Sequence, residues 1–215
     1  MCHPLETAFA ASFERLRALS GQAETVAGQH VVPGVWVAAD TRDGRFEGAV
    51  VAEPGGIVRL DMQVLTPGRW LSLNIGLDPA PLAPGTVLGL VAELSADGPP
   101  AAGALPVGAA VRSGHDGRHV DIVSSDRLEV GREPRVAVVL LHATAATVRP
   151  GPPAWRNLML NLPQRDFRLW LRDMHLFVRE PDAAVPDPAP DPVRNPARNP
   201  AGNPAGGPGG DMAGA

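Results

Sequence analysis

Between Pro4 and Ser20 the apolar residues Leu5, Phe9, Phe13, Leu16 and Leu19 recur at spacings of four, four, three and three. That is the period of an α-helix with one apolar stripe. Pro4 suits a first helical turn, where its missing N–H costs nothing, and Gly21 suits the stop. Residues 1–21 are therefore expected to form a short amphipathic helix of about four turns, whose stripe caps the chain's own core in preference to docking a partner.

After Val32 the pattern changes to short apolar runs broken by Gly, Pro and Asp. Strands are predicted at Val35 to Ala39, Phe46 to Glu53, Ile57 to Thr66, Arg69 to Leu77, Val87 to Leu94, Val107 to Arg112, His119 to Val123, Arg135 to Ala145, Asn157 to Leu162 and Phe167 to Val178. Many strands with no intervening helical period imply an all-β sandwich or barrel over residues 32–180. Val58, Leu60, Met62 and Val64 alternate with polar residues, as do Leu71, Leu73, Ile75 and Leu77. Each strand thus buries one face. With Thr66-Pro67-Gly68 between them, the two read as a hairpin in which Pro presets one torsion and Gly takes positive φ. In the last strand the apolar phase runs through Phe167, Leu169 and Leu171, then jumps to Met174, Leu176 and Val178. A bulge near Asp173 explains the jump.

Composition adds a boundary. The chain holds 24 Pro and 24 Gly, and the stretch 181–215 is the most enriched, with a repeated Arg-Asn-Pro-Ala unit and almost no large apolar side chain. Such a segment cannot repay its ordering entropy, so a disordered tail is expected there. With a net charge of −4 and scattered arginines there is no basic stripe for nucleic acid. No apolar run reaches the roughly 20 residues of a spanning helix. The opening residues lack the charge and apolar run of a secretory signal, and a cytoplasmic location is expected.

Candidate chemistry is narrowed mostly by exclusion. The basic residues are all arginine, which removes Schiff-base and phosphate-loop lysines, and the single Cys2 cannot build a thiolate cage or redox pair. GxSxG, HExxH, GxGxxG and Walker sequences are missing. No catalytic residue, metal or cofactor is therefore assigned. His115-Asp116-Gly117-Arg118-His119 holds metal-ligating types, but Asp-Gly between two β-like runs reads as a structural turn. Asp40, Asp43 and Gly44 slightly resemble the start of a calcium loop whose later ligands are missing. Carboxylates brought together only by the fold would make an enzyme, the weakest option.

The polar phase of the strands says more. Opposite the apolar series stand Trp70, Ser72, Asn74 and Gly76 on one strand, and Arg59, Asp61 and Gln63 on another. The last strand adds Arg168, Trp170 and Arg172, while Asn157 and Asn161 alternate against Leu158, Leu160 and Leu162. On one shared sheet these would combine flat aromatics with amide, carboxylate and guanidinium groups. An indole offers an apolar plane to a sugar ring, and the polar groups bond its hydroxyls. Trp70, Asn74, Arg59, Asp61, Arg168, Trp170 and Arg172 are accordingly the candidate ligand-binding residues.

Three segments resemble known domains: Gly68-Arg69-Trp70-Leu71-Ser72-Leu73-Asn74-Ile75, Leu82-Ala83-Pro84-Gly85-Thr86-Val87, and the run from Phe167 to Val178. Together they resemble jelly-roll sandwiches of the carbohydrate-binding-module and galactose-binding-like type, over about residues 34–179. The resemblance implies an antiparallel jelly-roll β-sandwich behind the N-terminal helix, non-catalytic, with a glycan or sugar-bearing partner and a role accessory to polysaccharide synthesis or modification. The rival expectation is a protein-interaction domain that uses the N-terminal helix and the outer sheet face.

Overall fold

The computed structural model describes residues 2–98 and 103–181, so the expected tail lies, beyond Pro181, outside the described residues. One helix, α1 (Pro4–Arg17), precedes twelve strands: β1 (Gln22–Glu24), β2 (His30–Val32), β3 (Val35–Ala39), β4 (Arg45–Glu53), β5 (Ile57–Thr66), β6 (Leu71–Leu77), β7 (Val87–Asp97), β8 (Leu105–His115), β9 (Arg118–Val130), β10 (Arg135–His142), β11 (Trp155–Asn161) and β12 (Phe167–Arg179). They form two six-stranded sheets, sheet I in the order β1-β4-β5-β12-β7-β10 and sheet II in the order β2-β3-β6-β11-β8-β9. Neighbouring strands pair antiparallel. The chain is an all-β sandwich whose later strands pass back and forth between the sheets, as in a jelly roll.

Alternation builds the core. Val58, Leu60 and Met62 of β5, Leu71, Leu73 and Ile75 of β6, Leu158 and Leu160 of β11, and Leu169 and Leu171 of β12 are all buried in one cluster between the sheets. The apolar jump in β12 corresponds to a register shift between Leu171 and Asp173. His115 to Arg118 makes the β8–β9 turn, with φ of 46° at Asp116 and 74° at Gly117. Two successive positive φ values are what a type I′ hairpin demands.

The proposed hairpin of β5 and β6 is corrected. β5 pairs with β4 and β12 in sheet I, while β6 pairs with β3 and β11 in sheet II. Two strands with one apolar face each satisfy the same pattern side by side or opposed across a core, so alternation cannot choose between these arrangements. Pro67 and Gly68 carry the chain from one sheet to the other. Gly68 is required for close approach and not for positive φ: a Cβ there would stand 3.0 Å from the Asp40 carbonyl oxygen and 3.2 Å from the Gly44 Cα.

Helix α1 starts at Pro4, where the His3 Nδ1 accepts from the Leu5 N–H at 3.2 Å and the Glu6 carboxylate accepts from the His3 N–H at 3.1 Å. It ends at Arg17, short of the predicted Ser20. Leu5, Phe9, Phe13 and Leu16 lie within the core, and the helix packs against β12 of sheet I and β6 of sheet II. Both ends are fastened. Glu6 accepts from the Val178 N–H at 2.7 Å, and Arg17 donates to the Arg172 carbonyl and to Asp173, each at 2.8 Å. Among the described residues no helix is long and apolar enough to cross a membrane.

Candidate functional site

The sandwich separates the residues that the sequence placed on one face. Arg59 and Asp61 on β5, with Arg168, Trp170 and Arg172 on β12, belong to sheet I, whereas Asn74 on β6 and Trp70 just before it belong to sheet II. The outward phases of the two sheets look in opposite directions, so the seven do not converge. The cause is the crossover at Pro67-Gly68. On sheet I the charged members serve one another. Asp61 accepts from Arg59 at 3.0 Å and from Arg168 at 2.7 Å, and Arg59 also pairs with Glu53. The Arg168 guanidinium carbon lies 5.9 Å from the centre of the half-buried Trp170 ring.

On sheet II the strands build a cleft of about 820 Å³. Three of the chain's four tryptophans, Trp36, Trp70 and Trp155, line it. Its rows follow from the register. Trp36 is opposite Asn74, and Asn74 opposite Met159; one row along, Gly76, Asn157 and Arg112 lie abreast. Trp70 and Trp155 are 48% and 46% exposed, so part of each indole is open to solvent. Trp36 is held by His30, ring centres 5.1 Å apart, and the His30 Nδ1 accepts from the Gly34 N–H at 3.2 Å. Trp155 lies across Gly114, where any Cβ would collide with the indole. Glycine is needed there for that contact.

The floor between the indoles is polar and internally bonded. The Asn74 amide donates to the Ser72 hydroxyl at 3.0 Å and carbonyl at 3.3 Å, and the Asn157 amide donates to the Asn74 oxygen at 3.5 Å. Arg112 forms two bonds of 2.7 Å to Asp121, which raises its pKa above the ordinary guanidinium value. Arg156, in the core-facing phase of β11 with Leu158 and Leu160, is buried behind this floor, donating through Nε to the Ser113 hydroxyl at 2.9 Å and through a terminal nitrogen to the Ala80 carbonyl. Burial draws its pKa down to about 10, partly opposed by the charge of Asp78. Fixed amides between aromatic planes can orient a hydroxyl-rich ligand without rearranging.

The sequence reading found Trp70 and Asn74 of this cleft and missed Trp36, Trp155 and Arg112 as site residues. The signal was present. Trp36 stands between buried Val35 and Val37, and Trp155 shares the two-residue phase of Asn157, Met159 and Asn161. What the phase lacked was a way to tell which strands share a sheet.

A second cleft, about 780 Å³, lies over sheet I and is lined by Glu24, Glu47, Asp61, Asp97, Asp166 and Arg168 among others. Its acids are largely engaged: Asp61 as above, Asp166 by the Val64 N–H at 2.8 Å and Asp97 by Arg132 at 3.3 Å. No group of three or more metal-ligating side chains occurs among the described residues. Asp40 and Asp43 instead hold the crossover. Asp40 accepts from the Arg42 and Arg69 N–H groups at 3.1 and 3.2 Å, and Asp43 pairs with the Arg69 side chain at 2.6 Å. Burial pushes the Asp40 pKa up, but these backbone donors and the Arg69 charge outweigh it and hold the carboxyl below its ordinary range.

No protein-family model matches the sequence, and no curated protein is similar to it. Solved structures with a similar fold do exist. A cyclase from Fischerella sp. TAU in complex with 4-(1H-indol-3-yl)butan-2-one is 16% identical, with a TM-score of 0.50, covering 85% of this chain and 100% of its own. A CBM4 structure is 15% identical, with a TM-score of 0.44, covering 68% of this chain and 96% of its own. The N-terminal cellulose-binding domain of Cellulomonas fimi β-1,4-glucanase C is 12% identical, with a TM-score of 0.45 and coverage of 75% and 89%. The similar structures thus include carbohydrate-binding modules, the group that the strand segments resemble. At these identities the likeness extends to the fold alone.

Proposed function

We propose that the chain is a non-catalytic sandwich that binds a glycan or a sugar-bearing partner in the sheet II cleft. The observation that carries this reading is Trp36, Trp70 and Trp155 around a floor of Ser72, Asn74 and Asn157. Indole planes remove the C–H face of a pyranose from water, and the amides supply directional bonds to its hydroxyls. The sheet I residues Arg59, Asp61, Arg168, Trp170 and Arg172 have no part in it. The rival interaction role for α1 loses its basis, because the stripe is buried in the chain's own core. The cellular role we assign is accessory to polysaccharide synthesis or modification, in a reducing cytoplasm that suits the exposed free thiol of Cys2.

A glycan array with the whole chain, followed by calorimetry on the hits, tests the reading. Binding should weaken by about tenfold or more in Trp70→Ala with the melting temperature within a few degrees of the parent, since this side chain stacks on ligand and not on core. An array without hits, or a Trp70→Ala protein that binds as well as the parent, overturns it.

A further inference from the structure

We propose, building on the glycan reading, that the sheet II cleft takes a linear, neutral polysaccharide chain lying along the strands, with a stacking platform at every second row. The register carries this. Trp36 stands opposite Asn74, and Arg156 opposite Leu77, so Trp155 is level with Asp78, one step beyond the β6–β11 pairing. Trp70 precedes β6 by one residue, and the ladder still holds it, because its carbonyl accepts from the Asp40 N–H at 3.0 Å. Measured along β6, the three tryptophans therefore stand level with residues 70, 74 and 78. At about 3.4 Å per residue each interval is about 14 Å, and the outer two are about 27 Å apart.

Polar groups recur along the same path. Ser72 and Asn161 are cross-strand partners, Asn74 follows one row on, and Asn157 stands opposite Gly76 in the row after that. All of them line the cleft with the tryptophans. Trp36 belongs to β3 and Trp155 to β11, the two neighbours of β6, so the path along β6 has an indole on either side. This groove repeats an apolar plane and an amide or hydroxyl over several times the length of one pyranose ring. A ligand that itself repeats matches it over the whole length, where a single sugar would use one platform. The Arg112 guanidinium is already matched by Asp121, so recognition rests on hydroxyls and the chain it suits is neutral.

The test varies ligand length. Calorimetry with the full chain would use cello-, manno- and xylo-oligosaccharides of two to six units. In at least one series affinity should rise about a hundredfold from the disaccharide to the hexasaccharide, roughly a tenfold step for each of two further platforms. Trp70→Ala and Trp155→Ala remove opposite ends of the path, and each should make the series level off at a length where the parent still gains. Because Trp155 rests on Gly114 and its loss can disturb the strand, Trp70→Ala and the length series on the parent provide independent readings. A disaccharide bound as tightly as its hexasaccharide in every series that binds would overturn the extended path and leave the glycan reading standing. The same holds if an end variant weakens every length alike. Binding by none of the three series would also overturn the path, while the array decides the glycan reading separately.

Discussion

At the scale of single residues, the tryptophans divide by sheet. Trp36 and Trp155 line the cleft with Trp70, while Trp170 faces outward from sheet I beside Arg168. Trp36→Ala and Trp155→Ala should therefore each weaken glycan binding by about tenfold, and Trp170→Ala should leave it unchanged, as calorimetry on the three variants will measure. Gly114 belongs to the same account. Its missing Cβ is the space in which the Trp155 ring rests, so Gly114→Val should displace the indole and weaken binding in proportion to Trp155→Ala. A Gly114→Val protein with parental affinity would disprove that positioning role. The crossover shows how one residue type can be recognised for an incorrect reason: Gly68 is a turn-region glycine, but it is needed for proximity to Asp40 and Gly44.

At the scale of elements, α1 belongs to the sandwich. Four large side chains of its stripe are 2% exposed or less. At about 1.5–3 kcal/mol for each buried side chain, their loss rivals the whole stability of an ordinary domain. Deleting residues 1–20 should thus yield an unfolded or aggregated protein by circular dichroism and size exclusion; a folded monomer would contradict the assignment. The fastenings also predict a pH dependence. Burial raises the Asp173 pKa, but His175 and Arg17 outweigh it, and the carboxyl titrates below its ordinary range. Glu6 behaves alike: burial raises its pKa, while hydrogen bonds from Cys2 and from the Val178 and His3 N–H groups lower it further than burial lifts it. Carboxyls lowered in the folded state stabilise it fully above their unfolded values, and the contribution drains away as pH falls through the folded ones. Melting temperature should therefore decline as pH drops below about 4.5, and Asp173→Asn should flatten part of that decline.

At the scale of the whole molecule, the arrangement of β5 and β6 decides which residues can cooperate. Asp61 and Arg168 are cross-strand partners, a geometry compatible with a disulfide, whereas Asp61 and Asn74 face outward from opposite sheets. In a Cys2→Ser background, mild oxidation should link Asp61→Cys to Arg168→Cys and leave Asp61→Cys with Asn74→Cys unlinked. Mass spectrometry reads the result directly, and a link in the second pair would return β5 and β6 to one sheet.

What the sequence determined by itself was local. A period of 3.6 placed α1, a period of two placed ten strands, with β3 and β5 at their predicted bounds, and a phase jump placed the β12 bulge. Each is a pattern within one segment, set by which side chains must leave water. β1 and β2, three residues each, were too short to carry a period. The partnership of strands was settled by the tertiary structure, because an apolar face is satisfied equally by a neighbour in its own sheet or by the sheet across the core. That choice moved Trp70 and Asn74 away from Arg59, Asp61, Arg168, Trp170 and Arg172, and brought them to Trp36, Trp155 and Arg112.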